Sequence, residues 1–230
     1  MTRQLILELW PGAAMGAGDF FVSDSNRAAH EAVTGGKAWP DGRLVLAGDR
    51  GAGKTHLARI WAAHSGAEMV QAGDLAPGAL PAPGAALVVE GADALPCTGE
   101  EPLFHLLNHL ASTGGQILLT AHEPPARWPV RLPDLASRLQ AMQVVRIGAP
   151  DDALLAALLA KLFADRGLAP EPGLIPWLVL RMERSAAAAR DIATLLDRAA
   201  LSEGRTLTRS FAREVLRRGG AGPGLFDEDG

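Results

Sequence analysis

Eight residues constrain this chain more than any other stretch: Gly48-Asp49-Arg50-Gly51-Ala52-Gly53-Lys54-Thr55. They match G-x-x-x-x-G-K-S/T at every position. The flanks agree. Leu44-Val45-Leu46-Ala47 reads as a buried strand before the loop, and Thr55 to His64 reads as a helix after it. Glycines let such a backbone curl so that its N–H groups face phosphate oxygens, and the helix start adds a partial positive charge. Lys54 is then the cation for β- and γ-phosphates, and the Thr55 hydroxyl is a ligand for Mg²⁺. The alternative is a glycine-rich turn arising by chance, which leaves the flanking strand and helix unexplained.

The same alternation continues along the chain. Strands read at Glu68 to Gln71, Ala86 to Val89, Gln116 to Thr120 and Gln143 to Ile147. Pro102 to Ser112 reads as a helix with Leu103, Leu106, Leu107 and Leu110 on one face. Continuous apolar strands separated by helices imply a parallel sheet covered on both faces. The character changes at Gly148-Ala149-Pro150. Beyond it no strand is expected. Helices read from Asp151 or Asp152 to about Asp165, from Leu174 to Met182, from Ser185 to Glu203 and from Thr208 to Arg218. A chain of 230 residues fits this division into one core and a smaller appendage. The expected organisation is an N-terminal peptide over 1–12, a nucleotide-binding core over 13–148, an all-helical module over 149–218 and a disordered tail over 219–230.

Charge and cysteine content narrow the function classes. The net charge is −4 and the pI about 5.9, which argues against a whole-surface grip on nucleic acid. A local patch stays open, because Arg205, Arg209, Arg213, Arg217 and Arg218 recur near helical spacing. They read either as weak phosphate contacts or as a solvated helix face. Cys97 is the one cysteine, so no internal disulfide and no cysteine zinc cluster is expected. His105 and His109 stand at i, i+4 without an evident third ligand, and read as ordinary helix residues. The N-terminal apolar run carries only Arg3 before it and is interrupted by Glu8, so it does not read as a signal peptide. Leu75 to Val89 is uncharged, but it contains Pro77, Pro81 and Pro83 and is too short to span a bilayer. A soluble cytoplasmic protein without membrane contact is expected.

A phosphate loop of this kind works with a carboxylate at the end of a neighbouring strand. Ala86-Leu87-Val88-Val89-Glu90 supplies Glu90 where Asp is usual. Gly91 follows, where many related ATPases carry the acid that polarises the attacking water. Weak intrinsic hydrolysis is therefore expected. Asp93 is near enough in sequence to compensate, or else caps the turn that follows.

Taken together the motifs resemble the AAA+ module of the replication initiator DnaA, and more closely the Hda-like relatives that inactivate that initiator. The resemblance covers nearly the whole chain. Asp19-Phe20-Phe21-Val22 and Ser25-Asn26-Arg27-Ala28-Ala29 are similar to the segment that packs on the adenine. Leu103-Phe104-His105-Leu106-Leu107-Asn108 resembles an F-H-x-x-N helix. Ile117-Leu118-Leu119-Thr120-Ala121-His122 resembles the strand end that senses the γ-phosphate, with Thr120 as the sensor and His122 where Asp is common. Asp134-Leu135-Ala136-Ser137-Arg138-Leu139 resembles the arginine-finger box L-x-S-R-F/L. The resemblance implies an α/β fold, a P-loop AAA+ three-layer parallel sheet core with a small C-terminal all-helical lid. It implies ADP or ATP with Mg²⁺ as ligands. Gly48, Gly51, Gly53, Lys54, Thr55, His56, Phe21, Asn26 and Arg190 would be the nucleotide contacts, with Thr55 and Glu90 at the metal. Arg138 would be a finger acting on a partner's nucleotide, or, by the plainer reading, a partner of Asp134 one turn earlier. The family's lid arginine falls here on Ala187. Arg184 and Arg190 lie one turn to either side, as substitutes or as solvated charges.

Gln4-Leu5-Ile6-Leu7-Glu8-Leu9 is similar to the Q-L-x-L-x-L peptide by which Hda-like proteins dock on the replicative sliding clamp. In an extended segment Leu5, Leu7 and Leu9 face one way, and Gln4 can hydrogen-bond at the mouth of a groove. An ordinary edge strand is the alternative. Within these 230 residues no helix-turn-helix module of the kind with which DnaA reads origins is expected. The function implied is a regulator that docks on the clamp (the polymerase III β subunit) and presents Arg138 to ATP held by DnaA, shutting down initiation. Homo-oligomers are compatible with it. Two other readings stay open: an autonomous ATPase acting as a helicase loader, and a non-catalytic DNA-binding scaffold.

Overall fold

The computed structural model describes residues 20–36 and 38–218. The clamp-docking peptide expected at Gln4, Leu5, Leu7 and Leu9 lies outside the described residues, as does the tail from 219 onward. Two compact units divide the described chain, one covering Val22–Ala149 and the other running from Pro150.

The first unit is built on a parallel sheet. Its strands are β1 (Arg43–Gly48), β2 (Glu68–Gln71), β3 (Ala86–Glu90), β4 (Gln116–Ala121) and β5 (Gln143–Ile147), in the order β2-β3-β4-β1-β5. All four neighbouring pairs are parallel. Its helices are α1 (Arg27–Thr34), α2 (Lys54–Ser65), α3 (Glu100–Thr113) and α4 (Pro133–Gln140). The three central strands, β3, β4 and β1, are apolar on both faces because both are covered, whereas the edge strands β2 and β5 stay partly exposed. Val45, Val89, Ile117 and Leu119 pack in one cluster with Leu103, Leu106, Leu107 and Leu110 of α3. Leu44, Leu46, Val88 and Leu118 alternate with them and are fully buried on the other side. The strands and the leucine face of α3 stand where the periodicity predicts. Helices α1 and α4, eight residues each, are elements that the periodicity did not single out.

The second unit is all helical among the described residues. Its helices are α5 (Asp152–Ala164), α6 (Leu174–Val179), α7 (Ala186–Glu203) and α8 (Arg209–Arg218). Asp151 caps α5 by accepting from the Leu154 N–H at 2.8 Å, and Ser185 caps α7 by accepting from Ala188 N–H at 3.0 Å. Leu155, Leu159, Phe163, Trp177, Leu196 and Phe211 form its core. No described helix is long and apolar enough to cross a membrane.

Candidate functional site

The loop of residues 49–53 leaves the C-terminal end of β1 and enters α2. Gly53 sits at φ 104°, a left-handed conformation that a side chain would strain. That bend starts α2 at Lys54 and leaves the first turn without a side-chain cap. The free N–H groups of a helix start are then directed at the loop, the arrangement that receives an anion. Lys54 folds back over the loop. Its Nζ donates to the carbonyls of Gly48 at 2.6 Å and Asp49 at 2.8 Å. Partial burial pulls the Lys54 pKa below the usual lysine range, opposed by the negative charges of Asp93 and then Asp49. Thr55 is on the first turn of α2, and His56 follows it, half-buried.

The strand ends beside the loop carry the other candidates. Thr120, at the end of β4, is 3% exposed, and its Oγ1 accepts from the Gly91 N–H at 3.2 Å. Glu90 ends β3 opposite Gln71 of β2, and its Oε2 accepts from Gln71 Nε2 at 3.1 Å. Gly91 has φ 69°, and a 3-10 turn over Ala92–Ala94 follows. The turn carries Asp93 to the end of β4. There its Oδ2 accepts from the His122 N–H at 2.9 Å and lies 3.2 Å from His122 Nδ1. Asp93 thus binds a residue far along the chain rather than capping its own turn. Nothing local in the sequence links Asp93 to His122; only the fold brings them together.

Asn26 is buried, and its Oδ1 accepts from the Ser23 N–H at 2.9 Å. The neighbouring Ser25 carbonyl accepts from Gly148 N–H at 2.8 Å, which ties this turn to the end of β5, next to β1. Phe21 is exposed at the start of the described segment. In the helical unit, Arg190 is exposed on α7, and Arg184 pairs with Asp152 at 2.7 Å.

Arg138 stands at the other end of the sheet. The buried Glu100 carboxylate accepts from the N–H groups of Arg131 at 3.1 Å and Leu132 at 2.8 Å, which fixes the entry to α4. Arg138, on that helix, rests its guanidinium 5.2 Å from the centre of the Phe104 ring. It lines a cavity of about 620 Å³ together with Trp39, Asp41, Arg43 and Gln116. Arg43 begins β1 and Gln116 begins β4, so the cavity lies at the N-terminal strand ends. About 17 Å of strand separates it from the loop. Arg138 is not paired with Asp134 among the described residues; it stacks on an aromatic face instead.

The described residues contain no group of three or more His, Cys, Asp or Glu placed to hold a metal ion by themselves. His109 accounts for itself by bonding the Pro81 carbonyl through Nε2 at 2.8 Å. Around the loop the oxygen donors include the Thr55 hydroxyl and the carboxylates of Asp49, Glu90 and Asp93. Hard donors of this kind suit a magnesium-sized cation that shares its shell with phosphate oxygens and water.

No protein-family model matches the chain. Solved structures do. Domain III of the Thermotoga maritima replication initiation protein DnaA superposes with a TM-score of 0.70 at 16% identity, covering 87% of this chain and 94% of that one. AMPPCP-bound DnaA from Aquifex aeolicus gives 0.64 at 20% identity, over 80% of this chain and 65% of that one. The Thermotoga maritima RuvB Holliday junction branch migration motor gives 0.63 at 16% identity, over 84% and 65%. The chain thus spans most of the isolated domain and about two thirds of the longer DnaA and RuvB chains. The architecture is α/β, with the AAA+ fold of DnaA and RuvB.

Proposed function

We propose that this chain is an adenine-nucleotide-binding AAA+ regulator of replication initiation, of the Hda-like kind, that acts on DnaA. The observation that carries the reading is the pairing of a complete phosphate loop at one end of the sheet with Arg138 at the other. An arginine so far from its own loop has no role in a nucleotide held there, but is available to one held by a neighbour. Its stacking on Phe104 supports that role, since the ring meets the guanidinium through its face and leaves the in-plane N–H groups as donors. The AAA+ fold shared with DnaA supports the choice of partner.

In this reading the loop N–H groups and Lys54 bind the phosphates of ADP or ATP. The Lys54 ammonium exchanges backbone carbonyls for phosphate oxygens. Thr55, with a carboxylate from the end of β3, would hold Mg²⁺, which neutralises phosphate charge when bound. Thr120 keeps β3 and β4 in register beside the γ-phosphate position. Phe21, Asn26 and His56 would flank the base, and Arg190 is carried as a nucleotide contact from the helical unit. Gly91 leaves intrinsic turnover weak, which favours a nucleotide-holding regulator over an autonomous motor. Docking on the sliding clamp through Gln4, Leu5, Leu7 and Leu9, action in the cytoplasm and a negative effect on initiation complete the proposal.

The test is DnaA ATPase activity with this chain and clamp present. Arg138→Ala is expected to abolish stimulation, about 10³-fold or more where the finger acts in full, while clamp capture stays unchanged. Undiminished stimulation by Arg138→Ala rejects the finger.

A further inference from the structure

We propose that Asp93, positioned by His122, is the carboxylate that meets the divalent cation of a bound nucleotide, and that Glu90 fastens the sheet edge instead. The inference rests on the nucleotide-binding reading and deepens it. In the order β2-β3-β4-β1-β5, strand β3 is separated from the loop strand β1 by β4. A carboxylate leaving the end of β3 must cross the end of β4 to reach the loop. Glu90 leans the other way, to Gln71 of β2. Asp93 makes the crossing. It accepts from the backbone N–H of His122. His122 directly follows Ala121, which stands opposite Ala47 in the β1–β4 register. It therefore lies beside the Gly48 end of β1, where the carbonyl receives Lys54.

The two carboxylate oxygens of Asp93 differ. Oδ2 takes both contacts from His122, whereas Oδ1 is buried with no hydrogen-bond partner among the described residues. A buried carboxylate oxygen without a donor is costly, and a cation removes that cost. The negative charge of Asp93 is also felt at Lys54, ahead of that of Asp49. The turn that makes this possible starts at Gly91, whose left-handed φ of 69° swings the chain back over β4. An acid at position 91 would be strained by that same backbone. Glycine at 91 and the use of Asp93 then belong to one local geometry.

Affinity of the full chain for fluorescently labelled ATP, with Mg²⁺ and with EDTA, tests this. Wild type is expected to bind more tightly with Mg²⁺. Asp93→Asn is expected to lose about tenfold or more of that gain with no loss of affinity in EDTA, where one negative charge fewer beside Lys54 favours the phosphates, and Glu90→Gln to keep the gain. His122→Ala is expected to raise the half-saturating Mg²⁺ concentration, and His122→Asn, which still donates, to restore it. A gain lost in Glu90→Gln but kept in Asp93→Asn overturns the assignment. Should Asp93→Asn fail to fold, the wild type carries the test: Mn²⁺ added with nucleotide must broaden the His122 ring protons, and sharp resonances overturn the proposal. Wild type that binds no nucleotide in either buffer refutes instead the reading on which it rests.

Discussion

The charges at the strand ends of the sheet unit and those around α8 of the helical unit are held in opposite ways. At the strand ends of the sheet unit, Lys54 rests on backbone carbonyls, Arg138 rests on a ring face, and Asp93 keeps one oxygen without a donor. Around α8 of the helical unit, three arginines hold carboxylates. Arg205 bonds Glu203 at 3.2 Å and Glu214 at 2.8 Å, and stacks on Phe211. Arg218 bonds the same two glutamates, and Arg209 faces Glu171 at 3.9 Å. An arginine already holding a carboxylate must give it up to meet a phosphate. A cation resting on a neutral partner has much less to lose. Arg205, Arg209 and Arg218 are thus arranged to knit α7, α8 and the Glu171 segment together. Exposed pairs of this kind add little stability each, but they cancel the local positive field that would draw in nucleic acid.

The comparison breaks if the loosely held charges are dispensable. Lys54→Ala is the most severe test after Arg138→Ala. Removing a charge-assisted donor from the phosphates is expected to cost about 2–3 kcal/mol, on the order of 100-fold in nucleotide Kd. Arg205→Ala, measured by the same titration, is expected to leave Kd unchanged. Equal losses in the two variants would mean that carboxylate pairing does not separate binding charges from structural ones.

How much of this was legible beforehand follows the same division. The loop, its strand and its helix were readable because Gly48 to Thr55 are contiguous and their chemistry is local. The five strands were readable as short apolar runs between helices, and the leucine face of α3 because burial along one side of a helix imposes a period. Helices α1 and α4 are too short for a period to stand out. The strand-end pairings were not readable for a different reason. Asp93 meets His122, and Glu90 meets Gln71, only after strand order and register are known. Arg138 was recognisable as an arginine in a box. Its separation from the loop by the length of β1, and the Phe104 ring beneath it, are properties of the folded sheet.

A smaller effect sharpens the other side of the comparison. Ser185 sits at the start of α7, and its side chain accepts from the Ala188 N–H. Ser185→Ala is expected to destabilise the helical unit by about 1 kcal/mol, read as a lower midpoint in thermal or denaturant unfolding. Nucleotide affinity through the Lys54 loop should persist. A variant that loses nucleotide binding while its helical unit stays folded would give the start of α7 a binding role that its capping geometry does not account for.

The smallest effect is the most specific to paired charge. The Arg205 guanidinium, aided by Arg218, holds the Glu214 carboxyl below the usual glutamate range, and Glu214 in turn holds Arg205 protonated. A carboxylate with a depressed folded pKa contributes stability that is fully present above its ordinary value and is lost as pH falls through the folded value. Wild type should therefore exceed Glu214→Gln slightly in unfolding midpoint at pH 7. The difference should shrink in acid, below the ordinary glutamate pKa, as the wild-type carboxylate takes up its proton. Added salt at pH 7 should shrink it as well, because both partners are exposed to solvent. A difference that survives both acid and salt would mean that Glu214 acts by packing rather than charge, and the α8 arginines would then have to be reconsidered as free to meet a phosphate.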